Sequence, residues 1–301
     1  SPFSAGPTLA FILLPPNPFF RPSMNLTKVV NLGLAAGAAM AAGRQCGTEA
    51  PTEENFRIAK MIAERIGTQR VASLASAEPI NVDIYAHVVS GANNSYAGWI
   101  SNDTVHEQVK VLNEDYNKTG FSFTLKDVDW TINTTWTVNS EPMEMKRALR
   151  KGSYKDLNIY FLANIDGNLG YSYYPTAVEK GSNDFYRDGC VILASSTPGG
   201  RLTNYNMGKT ATHEVGHWFG LFHTFNGGCS DVDGDYVSDT PAQMNGTEGC
   251  PASRDSCPDK EGLDPIHNYM DYSYDSCMEE FTEGQIQRMR TYWEQFRADA
   301  E

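Results

Sequence analysis

Residues 213–223 read His-Glu-Val-Gly-His-Trp-Phe-Gly-Leu-Phe-His and place three histidines at fixed spacing. His213 and His217 are four residues apart, so a helix puts both side chains on one face, about one turn apart. Gly220 can adopt a positive φ and end that helix, and the chain can then return His223 to the same metal ion. Three nitrogen ligands leave the fourth position of a tetrahedral zinc ion open for water, which is the arrangement of catalytic zinc sites.

Glu214 follows the first histidine and can face a water molecule on the metal. Zinc held by three neutral imidazoles lowers the pKa of its water from about 15.7 to near neutrality. Glu214 would take the proton as general base, the hydroxide would attack a scissile carbonyl, and Glu214 would pass the proton to the leaving amine. The motif therefore predicts a zinc-dependent endopeptidase, in which one catalytic Zn²⁺ is bound by His213, His217 and His223.

The composition of the chain is that of a globular protein. Its 301 residues leave room for one large domain or two small ones, and 41% of them are hydrophobic against 20% charged, which suits an ample core. The formal net charge is −13 and no basic cluster is present, so the sequence argues against a nucleic acid as partner. An acidic surface is more often a solubility device than a guide to substrate.

The start of the chain has the composition of a targeting region. Residues 1–23 are apolar and proline-rich, and we interpret them as a spurious upstream extension. Residues 24–43 carry one basic residue before an apolar run rich in alanine, glycine and leucine, which is typical of a signal peptide. An N-terminal membrane anchor is the alternative, although the run is short for a membrane span. Residues 44–78 are then a pro-segment or N-terminal extension, and residues 79–301 the catalytic domain.

Cysteines and sequons support a secretory route. Six cysteines agree with an oxidising compartment. We therefore expect a secreted, extracellular monomer without stable membrane association. Five sequons downstream of the signal segment predict N-glycosylation at Asn93, Asn102, Asn117, Asn133 and Asn245.

Hydrophobic periodicity predicts that strands and helices alternate before the zinc motif. Strands are predicted at 80–89, 121–130, 157–163 and 190–194. Helices are predicted at 53–66, 102–117, 143–149, 207–220 and 282–296. Residues 224–267 have the composition of a long loop region and hold three of the six cysteines. This order predicts an α/β upper half, a loop-rich lower half and a cleft between them.

Two further segments extend the zinc motif into a family pattern. Residues 268–272, Asn-Tyr-Met-Asp-Tyr, resemble the Met-turn of the metzincin superfamily. With residues 213–225 and the Asp-Thr-Pro of 239–241, they make the chain similar to the pappalysin family, and in particular to its secreted fungal metalloproteases, from about residue 46 onward. The resemblance implies a metzincin-type fold of the α/β (α+β) class: a twisted mixed sheet, an active-site helix and a loop-rich C-terminal subdomain stapled by disulfides. It also implies protein or peptide substrates.

The same resemblance implies roles for two residues of the Met-turn. Met270 would lie beneath the zinc site as a hydrophobic floor, while ordinary core packing is the alternative. Tyr272 would approach the metal or the oxyanion, where its phenol could donate a hydrogen bond to the tetrahedral intermediate. Without the Met-turn around it, Tyr272 would be read as a packed tyrosine.

Four cysteines lie in the lower half of the chain. Their spacing favours the pairs Cys229–Cys257 and Cys250–Cys277, which would staple a loop-rich region. Relatives imply the same pairing, although spacing alone leaves the two other pairings open.

The two remaining cysteines admit two interpretations. Cys190 lies in an apolar strand and has the character of a small core residue. Cys46 follows the signal segment, and its surroundings are similar to latency motifs in which a pro-segment thiolate occupies the open zinc position. Such a thiolate would exclude water until residues near 44–78 are removed. A Cys46–Cys190 disulfide is the competing interpretation.

Residues 231–240 hold four aspartates, whose hard oxygens favour calcium. The spacing is not a full EF-hand, because no glutamate occupies the twelfth position. Relatives carry calcium near this loop, and an acidic solvated turn is the alternative. The candidate Ca²⁺ ligands are Asp231, Asp233, Asp235, Asp239 and Thr240.

Two rival functions remain beside the peptidase. One is an inactive metzincin-fold binding module, against which the intact set of three histidines and Glu214 argues. The other is a zinc hydrolase of a non-peptide substrate, against which only the family resemblance argues.

Overall fold

A five-stranded mixed sheet forms the upper half of the molecule, in the order β2-β1-β3-β5-β4. The computed structural model describes residues 45–68, 78–230 and 234–300. Four strands run parallel, and β4 pairs antiparallel with β5 at the edge. The strands are β1 (Ile80–Ser90), β2 (Phe121–Ile132), β3 (Leu157–Leu162), β4 (Gly170–Tyr171) and β5 (Cys190–Leu193).

Six α-helices accompany this sheet in the described part of the chain. They are α1 (Glu53–Thr68), α2 (Asn102–Asp115), α3 (Pro142–Leu149), α4 (Asn183–Arg187), α5 (Lys209–Trp218) and α6 (Glu283–Phe296). With the mixed sheet, they confirm the predicted α/β class.

The main core lies between the sheet and helices α2 and α5. Alternate residues of β1, such as Val82 and Ile84, face it because side chains alternate across a strand. They pack with Val105 of α2 and Val215 of α5. On the other face of the sheet, Met145 of α3 joins a second buried cluster. The sheet is thus a central layer, and α5 lies directly against one face of it.

The ends of α5 differ from the predicted ones. We expected a helix over residues 207–220, but α5 spans Lys209–Trp218. Gly208 has φ 87° and Gly220 has φ 95°, and both values lie in the left-handed region that a continuing helix does not use. Two glycines therefore define the helix that carries the first two histidines.

Helix α6 begins with a capping box. The Thr282 side chain accepts from the backbone N–H of Gln285, whose side chain bonds back to Thr282, which is a capping box. Tyr292 of α6 packs with Ile58 and Ile62 of α1. The N-terminal helix is therefore held on the C-terminal one by an apolar contact.

The lower half is mostly irregular, as predicted for residues 224–267. Disulfides join Cys229 to Cys257 and Cys250 to Cys277, the pairing that the spacing favoured. Cys46 and Cys190 are both free, which counts against a disulfide between them. Within the described ranges, no helix is long and apolar enough to cross a membrane. The predicted upstream extension and signal peptide, residues 1–43, lie outside the described residues.

Candidate active site

Four side chains converge at the end of α5. The ligand atoms of Cys46, His213, His217 and His223 all lie within 4.8 Å of one another. Helix α5 supplies the first two histidines, and the turn at Gly220 brings back the third. The Nε2 atoms of His217 and His223 are 3.1 Å apart. The structure thus brings together the three histidines that the motif singled out, and adds the cysteine.

Backbone carbonyls orient two of these imidazoles. The Nδ1 atom of His213 is 2.7 Å from the carbonyl oxygen of Tyr269, and that of His217 is 2.8 Å from the carbonyl oxygen of Leu221. A carbonyl only accepts, so each Nδ1 carries the hydrogen and each Nε2 presents a lone pair to the cluster. Burial lowers the pKa of His217 to about 4 and that of His223 well below its usual value. The imidazoles of His217 and His223 are therefore neutral, which is the form that binds metals.

Glu214 is buried between α5 and the edge strand β4. A Cβ atom added at Gly170 of β4 would lie 2.6 Å from Cγ of Glu214, a distance that real Cβ contacts do not show. Glycine at this position therefore lets the strand approach the glutamate. This contact sets the carboxylate directly beneath the edge of the sheet.

Residues 45–48 cover that edge. The N–H of Leu169 donates to the carbonyl of Gln45, and the N–H of Gly47 donates to the carbonyl of Gly170, both at 2.8 Å. Cys46 forms a parallel bridge with Gly170. The N-terminal segment therefore adds to the sheet as a short extra strand and carries its cysteine into the histidine cluster.

Thr48 makes a second contact with the site, which the sequence analysis did not identify. Its Oγ1 donates to Oε2 of Glu214 at 3.0 Å and accepts from the N–H of Ser172 at 2.9 Å. The Cys46 Sγ also lies 3.6 Å from the same carboxylate oxygen. Side chains two residues apart in an extended segment point to one side, so the period of two from Cys46 could have identified Thr48.

Met270 and Tyr272 also lie next to the cluster. Met270 is fully buried against α5, where a side chain at Gly216 would collide with its sulfur. The Tyr272 ring is 5.0 Å from the ring of His223, and its hydroxyl accepts from the N–H of Cys46 at 3.3 Å. Both residues are thus adjacent to the metal-binding histidines, where the resemblance implied them.

A second tyrosine, Tyr174, flanks the cluster next to β4. Its ring meets His217 edge to face, with centroids 5.6 Å apart. Burial, with the nearby Cys46 and Glu214, raises the pKa of this phenol well above its usual value, so it stays protonated. The sequence offered no signal for this residue, since it lies in an irregular segment after a two-residue strand.

The acidic loop is only partly consistent with the predicted calcium site. Asp235 is buried, accepts from Thr240 Oγ1 at 2.8 Å, and has its pKa raised by burial to about 7. Asp239 instead accepts from Thr282 and from the N–H of Gly284 at the start of α6. The structure thus brings Asp235 and Thr240 together and turns Asp239 away. Asp231 and Asp233 lie outside the described residues.

The asparagines of the predicted glycosylation sites differ in exposure. Asn133 is half-buried, and its side chain accepts from the N–H groups of Thr135 and Trp136. The other four are exposed, as an acceptor site requires. They are Asn93, Asn102, Asn117 and Asn245.

The sheet, the helix-borne histidines, the glutamate and the Met-turn together define a metalloprotease of the metzincin type. The sequence model of the family described as pregnancy-associated plasma protein-A matches residues 150–294. An extracellular metalloprotease of Sordaria macrospora is 52% identical over 269 residues, which cover 88% of this chain and 94% of the relative. Extracellular metalloprotease 1 of Coccidioides posadasii is 51% identical over 265 residues, with the same coverage of 88% and 94%. The chain therefore belongs to this family, the pappalysins.

Solved structures give the same result. Mature mirolysin of Tannerella forsythia, in complex with a cleaved peptide, is 31% identical with a TM-score of 0.60, and the match covers 72% of this chain and 92% of that chain. A promirolysin mutant of the same organism is 29% identical with a TM-score of 0.62, covering 83% and 94%. The predicted fold and enzyme class are confirmed. The names of the relatives agree with the predicted extracellular location.

Proposed function

We propose that the protein is a zinc endopeptidase that is secreted as a latent precursor. The observation that carries the proposal is the convergence of three imidazoles and one cysteine sulfur beside a buried glutamate. Residues 24–43 would be the signal peptide, residues 44–78 the pro-segment and residues 79–301 the catalytic domain. We propose a monomer without stable membrane association.

The donor set fits zinc. Imidazole nitrogen and thiolate sulfur are the ligands zinc prefers, whereas magnesium and calcium take oxygen. His213, His217 and His223 would hold the ion in the mature enzyme. When bound, zinc supplies a Lewis acid that polarises a carbonyl and acidifies a water molecule.

The residues of the chain would handle the protons and orient the substrate. Glu214 lies beside the cluster and would act as general base, then return the proton to the leaving amine. The Tyr272 hydroxyl, freed from the N–H of Cys46, would donate to the substrate oxygen on which negative charge develops. Peptide hydrolysis, rather than another hydrolysis, is supported by the family.

Latency follows from the contacts of residues 45–48. The Cys46 sulfur lies within 4.8 Å of the histidine ligand nitrogens and would be the fourth ligand, and Thr48 hydrogen-bonds Glu214, the proposed general base. Burial and the neighbouring Glu214 raise the pKa of Cys46 well above its usual value. The charge of a bound cation reverses this preference, because a coordinating thiol is deprotonated outright. The greater coverage of this chain by the promirolysin mutant, 83% against 72% for the mature form, supports a pro-segment here.

Calcium binding in the acidic loop is a further part of the proposal. Burial raises the pKa of Asp235, and a bound cation would lower it again by favouring the carboxylate. Ligands would come from Asp235, Thr240 and residues 231–233, while Asp239 caps α6. A calcium-selective chelator should lower the melting temperature of the zinc-loaded protein, and an unchanged melting temperature would argue for a plain solvated turn.

The Glu214→Gln variant tests the proposed function. Purified wild-type enzyme, freed of its pro-segment, should cleave casein and lose this activity on chelation. Glu214→Gln should retain one zinc per chain, measured by atomic emission, and lose turnover by several orders of magnitude. Casein cleavage by Glu214→Gln at the wild-type rate would refute the assignment. Wild-type cleavage that survives chelation would refute the zinc mechanism.

A further inference from the structure

Two tyrosines flank the histidine cluster, and each of them contacts different histidines. Tyr272 of the Met-turn lies against His213 and His223, with ring centroids 5.9 and 5.0 Å away. Tyr174, after β4, lies against His217 and also meets Phe222 edge to face at 5.1 Å. Each aromatic ring is thus held by packing next to a metal-binding side chain.

The N-terminal segment, residues 45–48, hydrogen-bonds to some polar groups of the cleft and not to others. Cys46 donates its N–H to the Tyr272 hydroxyl, and Thr48 Oγ1 bonds both Glu214 and the N–H of Ser172. The Tyr174 hydroxyl, by contrast, is buried without a hydrogen-bond partner among the described residues. The segment therefore provides no hydrogen-bond partner for the buried Tyr174 hydroxyl.

Tyr174 lies beside a space between the N-terminal segment and the residues after β4. A cavity of about 170 Å³ separates residues 48–55 from residues 172–176, and Tyr174 lines it. Departure of the pro-segment opens this space onto the cleft beside His217. A buried phenol without a partner costs free energy, which a ligand with an acceptor oxygen recovers.

We propose that the Tyr174 hydroxyl donates a hydrogen bond to a backbone carbonyl oxygen of the peptide substrate. A phenol hydroxyl can donate one hydrogen bond, and carbonyl oxygens are the acceptors that every peptide carries. The strand that precedes Tyr174 offers backbone groups to the same ligand, since it now pairs with Gln45 and Gly47. This inference rests on the proposed peptidase function.

Tyr174→Phe tests the inference, because it keeps the ring against His217 and Phe222 and removes only the hydroxyl. The matched control is Tyr160→Phe, which removes another buried hydroxyl without a partner among the described residues, on β3 and facing away from the main core. Both variants are prepared as the full secreted chain, matured as the wild type is. Three quantities are measured: kcat/KM on a peptide substrate, zinc content, and the Kd of a fluorescent product peptide by anisotropy.

Tyr174→Phe should lower kcat/KM and raise the Kd of the product peptide, each about tenfold, with full zinc content. Tyr160→Phe should leave all three quantities unchanged. Unchanged kcat/KM and Kd in Tyr174→Phe would overturn the inference, as would a loss of activity that follows a loss of zinc. Inactivity of the wild type would refute the proposed function instead, while the peptide Kd would still test the role of Tyr174.

Discussion

The two walls of the cleft are held in different ways. The lower wall, residues 268–273, is fixed from within the catalytic region, since buried Asp271 accepts from Gln243 and from the N–H of Thr247. The upper wall, residues 169–174, pairs with β5 on one side and with residues 45–48 on the other. The lower wall therefore keeps all these partners, whereas the proposed removal of the pro-segment would take one set of partners from the upper wall. The fold separates the part that positions the metal ligands from the part that controls access to them.

Removal of the cysteine should have the largest effect. Cys46→Ala takes the fourth donor away from the histidines, so the uncleaved chain should hydrolyse peptides roughly 100-fold faster than the uncleaved wild type. Initial rates on a quenched peptide, with pro-segment retention checked by mass spectrometry, measure this. Cys190→Ala, at the other free and buried cysteine, is the matched control and should stay latent. Equal rates for Cys46→Ala and Cys190→Ala would show that the Cys46 sulfur does not maintain latency.

The lower wall should respond through stability. Asp271→Ala leaves the amide of Gln243 and the N–H of Thr247 buried without their acceptor, which should lower the free energy of unfolding by about 3 kcal/mol. Urea titration of the zinc-loaded protein measures the loss. Asp259→Ala, at an exposed aspartate, should change it by less than about 0.5 kcal/mol. Equal stability of the two variants would show that the network is not what holds this wall.

The second contact of the upper wall should have a smaller effect than the cysteine. Thr48→Val keeps the side-chain shape but removes the hydrogen bonds to Glu214 and Ser172. We expect about tenfold faster release of latency under limiting protease, which corresponds to roughly 1.4 kcal/mol. Thr48→Ser, which keeps the hydroxyl and loses only the methyl group, is the control. A release rate equal to that of the control would show that the Thr48 hydrogen bonds do not contribute to latency.

The buried histidines should give the chelated protein a moderate pH dependence. The folded pKa of His217 is lowered by burial to about 4, below its usual value near 6.5. The unfolded chain therefore binds more protons between these values, so the stabilisation is present above about pH 6.5 and is lost as the pH falls toward 4. Melting temperatures across this range measure the slope. Replacing exposed His106 with Gln should leave the slope intact, whereas a flat profile in the wild type would contradict buried, neutral ligands.

The sequence predicted the lower wall better than the upper one. The zinc motif is a local pattern, so the relative positions of His213 and His217 follow from spacing once α5 forms. The position of Met270 was implied by the resemblance to the Met-turn. The cysteine pairs were also predictable, because few pairings are possible among four cysteines.

The upper wall could not be predicted in the same detail. Strand β4 has two residues, too few to show a period, and it exists because β5 and residues 45–48 pair with it. Tyr174 could not be singled out locally, because its contact with His217 joins residues that are distant in sequence. Local patterns thus encode the metal ligands, and tertiary pairing creates the surface that covers them.

In the proposed latent precursor, the Cys46 sulfur occupies the metal site until the pro-segment leaves. X-ray absorption at the zinc edge, on the full secreted chain before and after removal of the pro-segment, tests it most directly. We expect three nitrogen ligands and one sulfur before cleavage, and three nitrogens without sulfur after it. A first shell without sulfur in the uncleaved chain, or one that keeps its sulfur in the active enzyme, would contradict it.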